Sequence, residues 1–79
     1  MEKSEMLPTT MLTIAAAGGG LDIDCSKRVL LPDYMEKIAA AAAASGKHPQ
    51  IIFRNVDLLL PNTAEKIAKA GQGCVVFVV

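Results

Sequence analysis

Three prolines, at positions 8, 32 and 61, each follow a leucine and each open a run that reads as a helix. Met6-Leu7-Pro8-Thr9 leads to Ile14-Ala15-Ala16-Ala17-Gly18, and Leu30-Leu31-Pro32-Asp33 leads to Glu36-Lys37-Ile38-Ala39-Ala40-Ala41. Leu59-Leu60-Pro61-Asn62 then leads to Glu65-Lys66-Ile67-Ala68-Lys69-Ala70-Gly71. The prolines stand 24 and then 29 residues apart, a spacing that marks stacked repeats. A unit of this size cannot bury its apolar face alone and does so against its neighbours. The chain therefore reads as a single domain over 1–79, made of three units at about 6–25, 30–54 and 59–79.

Each unit carries a helix and then a strand. Asp33-Tyr34-Met35-Glu36 and Asn62-Thr63-Ala64-Glu65 fit the capping box, in which the cap side chain and the glutamate satisfy one another's amides. Thr9 holds the same place in the first unit, with Leu12 where the glutamate would be. These signals predict helices near 10–17, 34–45 and 63–70, ended by Gly18, Gly46 and Gly71 in the left-handed conformation. Apolar, β-branched stretches at 21–25, 51–54 and 74–79 follow as strands. Strands alternating with helices pair in parallel through right-handed crossovers. The expected fold is α/β, with a parallel three-stranded sheet in the order 1-2-3 and helices on one face. The alternative is a small ββαβαβ mixed sheet, in which Thr13 and Ile14 belong to a strand over 11–17 turned back at 18–20. The alanine triplet and the alignment with the two better-marked helices favour the first.

A chain of 79 residues buries only about 60–65% of the surface its unfolded form exposes, and the 52% hydrophobic content answers that shortage. Eight basic side chains balance eight acidic ones without a basic stripe, so nucleic acid has no electrostatic footprint to bind. Only Phe53, Phe77 and Tyr34 could stack on a base. No run reaches the ~18 apolar residues of a membrane span. The opening Met1-Glu2-Lys3-Ser4-Glu5 carries two acids against one base, the wrong sign for a signal peptide. A cytoplasmic location is expected, with Cys25 and Cys74 as thiols. In strands one and three, with strand two between them, they would lie ~9–10 Å apart, beyond disulfide reach.

The repeated Pro-capped helix rich in Ala-Glu-Lys-Ile-Ala, followed by glycine and a short apolar strand, resembles the leucine-rich-repeat-like β/α repeats of some bacterial proteins. The resemblance covers roughly residues 6–79. The family's asparagine-bearing strand motif shows at Ile51, Phe53 and Asn55 and fails at Asp24-Cys25-Ser26. It implies a scaffold or partner-binding role and brings no catalytic residue with it.

Residues with chemical potential have structural explanations. Gly18-Gly19-Gly20 could approach an anion, yet Asp22 and Asp24 follow and no Gly-Lys-Ser/Thr does. A helix end with a tight turn explains the glycines. Asp22 and Asp24 share a strand face, as a metal site or an acid–base pair would require, and a solvated sheet face explains them as well. His48 lies in a loop between Lys47 and Pro49. The reading is non-enzymatic, with no cofactor and no metal. The alternative is a small ligand- or metal-binding domain or enzyme, with its site around Asp22, Asp24 and the 18–20 turn.

The C-terminal Val75-Val76-Phe77-Val78-Val79 is apolar on both faces of a strand, as is Ile51-Ile52-Phe53. With helices on one face only, the other face and the last edge would stand open. A self-associating or protein-partner-binding module is therefore expected, with Phe53, Val75, Val76, Phe77, Val78 and Val79 as its interface. A homodimer closed by a two-fold axis is the simplest assembly. Edge pairing and sheet stacking both remain open as its mode.

Overall fold

The computed structural model describes residues 7–26, 30–56 and 59–78. In chain order the elements are α1 (Pro8–Ala16), β1 (Leu21–Asp24), α2 (Pro32–Ala44), β2 (Ile51–Arg54), α3 (Pro61–Gly71) and β3 (Val75–Val78). The strands pair in parallel in the order β1-β2-β3. Leu21, Ile51 and Val75 stand in one row, and Ile23, Phe53 and Phe77 in another, so no strand slips against its neighbour. The helices occupy one face of the sheet. Because residues 11–16 are helical, the ββαβαβ alternative is not the fold. The end of the expected third strand, Val79, lies outside the described residues.

The helices begin two residues earlier than expected. Leu7, Leu31 and Leu60 are the N-caps, and proline holds the first helical position in all three. Thr9, Asp33 and Asn62 therefore lie at the second helical position, and none of the three helix starts has a side-chain cap hydrogen bond. The cause is the proline ring. It presets the helical φ and has no N–H to satisfy, while it forces the residue before it into an extended conformation. The leucines obey, with ψ between 144° and 149°. Farther along α3, Glu65 and Lys69 make the i,i+4 pair at 3.3 Å.

Gly18 (φ 93°) and Gly46 (φ 75°) lie just beyond α1 and α2 in the left-handed region, where glycine is expected. The third unit differs. Gly71 is the last helical residue, and Gln72 (φ 48°) followed by Gly73 (φ 93°) makes the left-handed exit. Gly71 is a glycine for another reason: a Cβ there would stand 3.3 Å from the Ala39 methyl and 2.4 Å from Val75 Cγ2. It lets α3 close onto α2 and onto its own strand.

The core lies between the helix layer and the sheet. Ile51 and Phe53 of the central strand have no exposed surface, nor do Ile38, Ala39 and Ala42 of α2, Ala15 of α1 or Ile67 of α3. Met11, Met35, Ile23 and Cys74 are buried beside them. Four of the core positions on α2 (Met35, Ile38, Ala39, Ala42) repeat the three- and four-residue spacing of one helix face. The middle unit is thus covered from both sides and the outer two from one, as stacked units require.

Candidate functional site

Side chains alternate across a strand, and the register puts equivalent positions of the three strands side by side. The helix-covered face takes Leu21 and Ile23, Ile51 and Phe53, Val75 and Phe77. The uncovered face takes Asp22 and Asp24 from β1, Ile52 and Arg54 from β2, and Val76 and Val78 from β3. This face is divided, charged over β1 and apolar toward β3.

Of the six residues expected at an interface, Phe53 is fully buried under the helices. It stacks on Phe77 with ring centroids 6.0 Å apart and 28° between planes, the offset geometry aromatic pairs favour. Phe53 and Phe77 therefore build the core side of the sheet rather than its open side. Val75 joins them, half-buried, while Val76 and Val78 lie half-buried on the open face. Val79 is outside the described residues.

On the charged half, the Arg54 guanidinium donates two hydrogen bonds to the Asp22 carboxylate, across both strands. This hydrogen-bonded pairing holds the Asp22 carboxyl below its ordinary pKa and raises that of Arg54. Asp24 Oδ1 accepts hydrogen bonds from the Ser26 amide (3.0 Å), the Ser26 hydroxyl (2.7 Å) and Asn55 Nδ2 (2.7 Å). Asn55 adopts φ 59°, a conformation that asparagine tolerates better than most residues.

The ligand-site alternative gains no specific support from this geometry. Both carboxylates are engaged by protein donors, and the 18–20 turn precedes β1 while Asp24 ends it. Among the described residues no group of three or more His, Cys, Asp or Glu side chains is gathered to hold a metal ion. His48, in the left-handed region at φ 53°, places Nδ1 3.9 Å from the Cys74 sulfur. Cys25 follows β1 and Cys74 precedes β3, at opposite ends of the sheet, and neither is in a disulfide. A shallow groove between the starts of α2 and α3 is lined by Pro32, Asp33, Glu36, Thr63, Lys66 and Ile67. Among the described residues, no helix is long and apolar enough to cross a membrane.

Comparison with protein-family models, with curated proteins and with solved structures gave no match for this chain. One feature of the surface lies outside the interface residues expected from the sequence. Leu7, Leu31 and Leu60 are 64%, 58% and 68% exposed, one per unit at equivalent positions. The signal was the residue before each proline: leucine is a poor N-cap, yet it is used three times.

Proposed function

We propose that this chain is a non-enzymatic α/β repeat module of the leucine-rich-repeat-like type, working in the cytoplasm by binding protein, with a second copy of itself as the first candidate. The observation that carries this reading is strand β3. All four residues of Val75–Val78 stay partly exposed, and Val75 and Phe77 do so although their row partners in β2, Ile51 and Phe53, are fully buried. The strand is an edge. It has none of the lysines, prolines or bulges that keep natural edges from pairing. Further burial of its valines and of Phe77 would stabilise an assembly by ~25 cal/mol per Å² of apolar surface removed from water.

Static light scattering and sedimentation velocity over a wide range of concentration test the reading. A molecular weight that rises above that of one chain by tens of micromolar is expected. A monomer at every concentration would overturn self-association.

A further inference from the structure

The three units are so alike in placement that each inner surface predicts the matching outer one. Counting from the prolines, Ala15, Ala39 and Ala68 hold one position of the three helices. Ala15 and Ala39 have no exposed surface, but Ala68 is exposed. What covers Ala39 is known: Gly71 of the next unit lies against it, so near that a Cβ would stand 3.3 Å away. Ala68 is the same flank of α3 with no following unit. On the opposite flank, Thr63 of α3 lines the groove against α2 beside Glu36 and is half-buried. Its counterpart on α1 is Thr10, which is exposed.

The sheet edges match in the same way. The Leu21 and Cys25 amides donate to Gln50 and Arg54 oxygens, and the Ile51 and Asn55 amides donate to Cys74 and Val78 oxygens. Continuing this alternation, Val75 and Phe77 turn their amides outward at the β3 edge, while Gly20 and Asp22 turn their carbonyls outward at the β1 edge. Each of these residues turns its other backbone polar group the same way, so both edges offer donors and acceptors in the alternation already paired twice within the chain.

We propose that copies of this chain stack head to tail. The third unit of one copy receives the first unit of the next, with β3 pairing in parallel to the neighbour's β1 and α3 packing on its α1. This rests on the self-association reading above and names its partner and its operator. The contact is heterologous, so assembly grows into an open chain or closes as a ring, and it does not stop at a two-fold dimer.

Two variants at exposed helix positions decide the matter. Ala68→Glu blocks the third-unit surface, and Thr10→Arg blocks the first-unit surface. Circular dichroism verifies that each keeps the wild-type fold. The wild type is expected to gain mass with concentration without levelling off at a dimer, and each variant alone is expected to stay monomeric. Their equimolar mixture is expected to double in mass, because the open head of Ala68→Glu fits the open tail of Thr10→Arg. Wild-type association that survives in either variant, or a mixture that stays monomeric, would overturn head-to-tail stacking and leave self-association by another surface standing. In that event Val76→Lys on the uncovered face locates the contact. A wild type that never associates would overturn both.

Discussion

Arg54 grips Asp22 with two parallel hydrogen bonds, Nε to Oδ1 at 2.7 Å and Nη2 to Oδ2 at 3.0 Å, between residues 32 apart in sequence. This bidentate geometry is the strong form of a carboxylate contact. It joins the first unit to the second on the solvent side of the sheet, where both side chains remain about half exposed.

The pairing makes Asp22 a reporter of the β1–β2 register. Its carboxyl titrates below the ordinary aspartate range because the charged form is held by the Arg54 hydrogen bonds. A lowered folded pKa stabilises the fold above the unfolded value. That contribution fades as pH falls through Asp22's own lower value. Arg54→Ala should move the Asp22 titration upward in carboxyl-detected NMR. An unmoved midpoint would mean that the pair does not persist in solution.

The helix starts are open to improvement. Leu60 is an exposed N-cap without a side-chain cap bond, and an aspartate there can accept from a first-turn amide while favouring the positive end of the helix. Leu60→Asp should raise stability by about 0.5–1 kcal/mol, read as a higher urea midpoint at unchanged slope. A lower midpoint would show that the leucine contributes a contact the folded chain needs.

Gly71 should resist even a methyl group. Alanine is the better helix former by about 1 kcal/mol, but its Cβ would press on Val75 and Ala39, and overpacking a closed contact costs about 1–3 kcal/mol. Gly71→Ala should therefore lose up to about 2 kcal/mol net. The loss should shrink against a Val75→Ala background, where the Cγ2 atom is gone. Equal losses in the two backgrounds would place the strain elsewhere.

The two cysteines should not bridge within one chain. They lie two strands apart sideways and at opposite strand ends, a separation of ~19 Å from strand geometry, far beyond the span of a disulfide. Air-oxidised monomer, once unfolded in denaturant, should still take up an alkylating reagent at Cys25 and at Cys74, which is buried in the folded chain. A Cys25–Cys74 linked peptide in the mass spectrum would contradict the strand order.

Much of the fold was legible because its signals are local and repeated. The three prolines, Gly18 and Gly46, and the β-branched stretches each mark a boundary without reference to anything distant. The errors came where local chemistry competed. Asp33 and Asn62 look like caps, but proline takes the first helical position itself and pushes the cap back onto leucine. Gly71 looks like a helix exit, but packing against Ala39 and Val75 demands a glycine there, so the exit moved to Gln72. The surface was harder to read because it depends on register. Period-two alternation pairs Phe53 with Phe77 but does not say which side the helices cover. Aligning Asp22 with Ile52 and Val76, and Asp24 with Arg54 and Val78, settles that, since the aspartates belong on the solvated side. The Arg54–Asp22 contact needs the same register and has no local sign.

The strands stand in step, with Leu21, Ile51 and Val75 abreast, and this turns the middle unit into a cassette. A duplicated stretch from 30 to 58, spliced in after the original, would meet on each side the kind of surface the second unit already meets. Among the described residues the strand order runs β1-β2-β3, with no swapped strand to fix the number of units at three. Each addition would contribute its own folding free energy and one more nearest-neighbour contact. The length of such a protein is then a matter of how often a gene segment was copied, and its fold tolerates the count.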